Sequence, residues 1–146
     1  MGRVNDAALT NASGWFLRIA LTASYLSAVA DRFGFWGAPG SPGVAWGTWD
    51  AFVAYVAHLN AFAPPAVFPL LAVAATALEV VIPIGLLVGW RLRLFAFASG
   101  LLATLFFTTM VIANGFKGPL DYSVFTVAAA SFYLAATSAT RRASLG

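Results

Sequence analysis

Apolar residues run through this chain in four long blocks, at 14–33, 67–89, 94–113 and 122–140, separated by short polar punctuation. Each block is close to the ~20 residues that a helix needs to cross a ~30 Å hydrocarbon layer. No charge falls between Leu94 and Phe116 or between Tyr122 and Thr140. The pattern predicts an all-α chain, an integral membrane antiparallel four-helix bundle that forms a single domain over 1–146. The turn "WRLR" at Trp90–Arg93 is short enough to make the second and third helices antiparallel neighbours, and "NGFKGPLD" ties the third to the fourth.

The one long connection lies between the first two blocks, at 34–66. Its first half is rich in Gly and Pro and predicts an irregular loop. From Thr48, a residue suited to cap a helix N-terminus, Trp49, Phe52, Val53, Val56 and Leu59 recur at helical spacing until Pro64 and Pro65 stop the pattern. This predicts a short amphipathic helix. Trp36, Trp46 and Trp49 place it in an outer interfacial belt, capping the bundle, with a half-inserted fifth helix as the alternative.

Composition sharpens the picture. At 61% hydrophobic and 9% charged residues, the chain departs far from a soluble domain, in which about a quarter of residues are charged. Its basic residues are scattered and form no patch, which argues against nucleic-acid binding. An even number of spans puts both termini on one side, and Arg3, Arg91, Arg93, Arg141 and Arg142 assign that side to the cytoplasm, against Arg32 and Lys117 on the other. The expected location is the bacterial cytoplasmic (inner) membrane. "LSAVADR" also fits a signal-peptidase site, but Arg18 within the apolar block and the long polar lead favour a true span. There is no cysteine and one histidine, His58, so the chain offers no thiolate, no disulfide and no pair of axial haem ligands, and no metal site. It is expected to catalyse no redox turnover alone, with no residue assigned as catalytic.

Polar groups inside the blocks are the candidates for chemistry. In "TALEVVIPIGLLVG" Glu79 lies about ten residues from its helix's inner end, so ~15 Å deep and near the midplane. A carboxylate there costs on the order of 3 kcal/mol, so it is expected to face the bundle, paired or protonated. Pro83, with no N–H, leaves the Glu79 carbonyl without its helical donor and marks a kink. Arg18 is the expected partner, with Thr104 at matching depth; Gly100, Thr104 and Thr108 form a stripe expected to pack on the second helix against Gly85 and Gly89. Glu79, Arg18, Thr104 and Thr108 are therefore the candidate ligand-binding set. An outer polar cluster of Asp31, Arg32, His58, Asp121 and Tyr122, with Ser24, Ser27, Ser123 and Thr126 nearby, is the second candidate. Each has a bland reading beside it: helix-packing glue for the Gly and Thr stripe, an N-cap for Asp121, a wetted surface position for His58, and simple ion pairing for Glu79.

Taken in order, "LRIALTASYLSAVADRFG", "ALEVVIPIGLLVGWRLRL" and "GPLDYSVFTVAAASFYL" resemble the DoxX family of small bacterial membrane proteins. The resemblance covers nearly all of the chain. It implies a link to membrane redox metabolism, since founding members are described as small subunits of thiosulfate:quinone oxidoreductase. The expected role is an accessory subunit of a larger membrane complex or a self-associating protein, at most non-catalytic, with a quinone headgroup held near Glu79 and no covalent cofactor. A small transporter using the intramembrane carboxylate, and a purely structural scaffold, are the alternatives.

Overall fold

The computed structural model describes the backbone of residues 2–143, with side chains from 6 to 138; the side chains of Arg3, Arg141 and Arg142, which carried part of the orientation argument, lie outside the described residues. Helices and turns account for the whole of it: α1 (Gly2–Arg32), α2 (Trp49–Leu59), α3 (Phe68–Val88, led in by a 3-10 turn at Pro65–Val67), α4 (Leu92–Asn114), α5 (Lys117–Asp121) and α6 (Val124–Ala143), with no strand among the described residues.

Helix α1 begins well before residue 14: its polar lead has no proline and carries Ala7, Ala8, Leu9 and Ala12 among weaker helix formers. Gly34 ends it in the left-handed region, φ +75°, where a Cβ would press on the Gly47 carbonyl at 3.0 Å. Helix α2 starts where the pattern placed it: the Thr48 hydroxyl accepts from Ala51 N, and Phe52, Val56 and Leu59 form its buried face. Pro83 sits inside α3 without ending it. The fourth apolar block departs from its expected bounds. Its first two residues lie outside any helix: Tyr122 caps the end of α5, Ser123 turns through φ +57°, and α6 opens at Val124. Asp121 thus closes a short helix and does not cap the last long one.

Packing pairs α1 with α3 and α4 with α6. Along the first pair, Arg18 meets Leu86 and Leu87, Thr22 meets Pro83, and Arg32 meets Thr76 and Glu79. Along the second, Phe97 and Phe132 lie 5.7 Å apart and Phe107 and Phe125 5.2 Å apart. In both pairs contacts climb one helix as they descend the other. Leu21, Tyr25, Ile82, Leu86, Ala96, Leu102, Leu134 and Ala135 join the four helices in one core. A smaller cluster under α2 sets Phe52 and Val56 on Ala72 of α3, flanked by Trp46 and Trp49.

Two helical stretches, Pro65–Val88 and Leu92–Asn114, are long and apolar enough to cross a membrane, and α6 adds a shorter apolar run, Val124–Ser138. Only 33% of each long window is buried, and Val73, Val81, Ile84, Leu101, Leu105 and Ile112 all face outward. A core helix of a water-soluble protein is mostly buried, whereas these two leave most of their apolar surface outside the described fold.

A buried charge cluster beneath the loop as candidate functional site

Glu79, on α3, is 4% exposed, and the side chain that answers it is Arg32, itself 2% exposed. Arg32 Nη2 forms an ion pair with Glu79 Oε2, and its Nη1 donates to Thr76 Oγ1 at 2.7 Å, one turn earlier on α3. The guanidinium lies over the Phe52 ring, 3.7 Å from its centroid, and 5.3 Å from that of Trp46. Helix α2 and the loop thereby form an aromatic roof on the cation, a contact that strengthens as water is excluded.

Asp31, the neighbouring residue, holds the roof in place. Its Oδ2 accepts from the backbone N–H groups of Ala45 and Trp46 at 2.9 and 3.0 Å, closing the Gly- and Pro-rich loop back onto the end of α1. Trp36 Nε1 adds a hydrogen bond to the Ser27 carbonyl at 3.0 Å. The loop is thus irregular, as its composition requires, yet packed. Two carboxylates and one guanidinium meet in this cluster, and beyond the Arg32–Glu79 ion pair Asp31 Oδ1 and Arg32 Nε are buried with no hydrogen-bond partner. These two groups retain the capacity for one acceptor and one donor contact. Beside them a shallow apolar groove, walled by Phe33, Trp49, Val73, Val80 and Val81, has Thr76 as its polar residue.

The expected Arg18–Glu79 pair does not form. Arg18 Nε and Nη2 donate to the Leu86 and Leu87 carbonyls at 2.5 Å each, occupying the unpaired end of α3. The facing of Thr22 with Pro83 and Arg18 with Leu87 puts Leu26 at the level of Glu79. Side chains lean toward the N-terminus of their helix, so Arg18, about two turns on the N-terminal side of that level, leans away, whereas Arg32, less than two turns beyond it, leans in. The threonine stripe is also reassigned. Thr104 and Thr108 are exposed, their hydroxyls donating to Gly100 and Thr104 carbonyls on their own helix at 2.7 and 2.8 Å. Gly100 lies under Phe132 of α6, so the stripe does not turn its glycine to α3, whereas Gly85 does meet α4, under Phe95, and Gly89 lies against Arg18.

The outer cluster separates as well. Only Asp31 and Arg32 enter the buried group; Asp121 pairs with Lys117 on the surface, and Tyr122 is exposed. His58 Nε2 lies 2.7 Å from Asn114 Oδ1, tying exposed ends of α2 and α4 together. Ser24 bonds its own helix through the Ala20 carbonyl.

Sequence reasoning missed a second buried polar path. The Tyr25 hydroxyl lies 3.0 Å from Ser99 Oγ, which lies 2.8 Å from Ser131 Oγ, linking α1, α4 and α6 through fully buried serines. A signal was available: Arg18, Thr22, Tyr25 and Arg32 fall at steps of four, three and seven residues on one face of α1, and all are buried. Comparison of the chain with protein-family models, curated proteins and solved structures finds no match.

Proposed function

We propose that this chain is a DoxX-like integral membrane protein of the bacterial inner membrane, an accessory subunit of a quinone-linked redox complex that receives a quinone headgroup at the Arg32–Thr76–Glu79 cluster. In this reading α1, α3, α4 and α6 cross the bilayer as an antiparallel bundle with both termini cytoplasmic, and α2 with the tryptophan-rich loop caps the outer end. The opposed contact order of the two helix pairs and the outward apolar faces of α3 and α4 support it. The observation that carries the ligand is the unspent polar capacity of a buried cluster beside an apolar groove: Arg32 Nε has an N–H without acceptor, and Asp31 Oδ1 is an acceptor without a donor. A quinone offers carbonyl oxygens to the first, and its quinol a hydroxyl to the second; the isoprenoid tail suits the groove walls.

Protein purified from native membranes in mild detergent is expected to retain quinone, measured by organic extraction and chromatography, and Thr76→Val and Glu79→Gln are expected to lose most of it while remaining folded. Quinone content equal in both variants and wild type, or absent from all, defeats the ligand assignment. Topology is checked separately: reporters inserted between Trp90 and Arg93 and fused after Gly146 should score as cytoplasmic, and one near Gly40 as external. Any exchange among the three overturns the four-span arrangement.

A further inference from the structure

At the opposite end of the molecule from the charge cluster, a cavity of about 1080 Å³ opens between α1, the α3–α4 turn and α6. Among the described residues its charged lining groups are Arg18, Arg91 and Arg93, with no carboxylate. Phe97, Leu94 and Leu134 form an apolar wall, and Thr10 and Ser13 add hydroxyls at the α1 side. We infer that this cavity is a binding site for an anionic phospholipid, with the headgroup phosphate against the three arginines and an acyl chain along the apolar wall.

Arg18 is the anchor. It is 8% exposed, its guanidinium lies 3.7 Å over the Trp15 ring, and its Nε and Nη2 are fixed by the Leu86 and Leu87 carbonyls. Those carbonyls and the indole satisfy hydrogen bonds and packing but supply no anion, and no ion pair to Arg18 exists among the described residues. A guanidinium that lines the cavity with no counter-charge among the described residues offers an anion a charge-assisted contact there. Arg91 and Arg93 extend the positive field to the mouth. Arg91 takes φ +48° as the residue preceding α4, a helix that starts with no side-chain cap and no acidic residue in its first turn, so the N-terminal dipole of α4 points the same way. Basic cavities between helices at the cytoplasmic membrane surface suit phosphate headgroups, and this end is the one assigned to the cytoplasm. The inference rests on that membrane placement but not on the quinone site.

The test uses full-length protein in lipid nanodiscs, with retained lipid read by native mass spectrometry and exchange by competition between phosphatidylglycerol and phosphatidylcholine. Wild type is expected to retain phosphatidylglycerol preferentially, and Arg91→Gln and Arg93→Gln each to weaken that preference about fivefold, the scale of one arginine at a charged interface. Glu79→Gln, remote from the cavity, should leave it unchanged, which separates this result from the quinone assignment. Equal retention of the two lipids by wild type, or no loss in the Arg91→Gln/Arg93→Gln double variant, overturns the site. Inorganic phosphate displacing no phosphatidylglycerol is expected; phosphate that binds while phosphatidylglycerol shows no preference would assign the cavity to a soluble anion and defeat the lipid reading.

Discussion

Glu79→Leu is expected to destabilise the fold by about 3–5 kcal/mol, the cost of leaving a buried charge without its partner. The residue left behind is Arg32, 2% exposed and covered by Phe52 and Trp46, so its charge loses its buried counter-charge. Glu79→Gln should cost less, because an amide oxygen still accepts from the guanidinium. The decisive variant is the double, Arg32→Met with Glu79→Leu, which removes both charges and fills similar volume; it should recover most of the loss, since an intact buried pair is worth little against well-packed apolar side chains. Reversible unfolding in mixed detergent micelles, followed by far-UV circular dichroism, measures all three. A double variant as unstable as Glu79→Leu would show that the destabilisation comes from lost packing and would remove the ion pair as its cause. If quinone retention is lost in the stable double variant, the pair is kept for the ligand at a site where stability does not require it.

How much of this was legible in advance follows from what each residue type reports. Helix α2 was readable because Thr48 caps locally and Phe52, Val56 and Leu59 mark one face, information contained within a dozen residues. The burial of Glu79 was readable because a carboxylate in the middle of a long apolar helix has few other options. Its partner was not chosen correctly from depth alone. Two arginines on α1 stood on either side of the right level, and the lean of helical side chains toward the N-terminus decides for Arg32 over Arg18. Thr104 and Thr108 misled for a related reason: a threonine in an apolar helix can satisfy its hydroxyl on the carbonyl four residues back, so its polarity does not fix which face it occupies. Ser99 and Ser131 escaped notice because each is small, and only the approach of α4 to α6 brings them together.

Asp31→Ala is expected to release the outer loop, with a loss of about 2–4 kcal/mol set by two hydrogen bonds to an ionised acceptor. The loop from 34 to 47 has glycines at left-handed positions and leaves Phe35 and Trp36 exposed, so its conformation depends on anchors that reach in from outside. Asp31 Oδ2 supplies two of them, to Ala45 and Trp46, and Trp46 is the ring that with Phe52 covers Arg32. Loss of the carboxylate therefore frees the roof first and the ion pair second. Limited proteolysis from the outer side should leave 34–47 intact in wild type and cut it in Asp31→Ala, with Asp31→Asn between them because its amide oxygen still accepts. The order of events gives a second readout. Quinone retention should fall in Asp31→Ala even where the helices stay folded, since an unroofed Arg32 is reached by water and its spare N–H no longer waits for a ligand carbonyl. Equal protease protection in wild type and Asp31→Ala would show that the remaining contacts, Trp36 to Ser27 and Trp49 stacked on Phe33, hold the loop without the carboxylate.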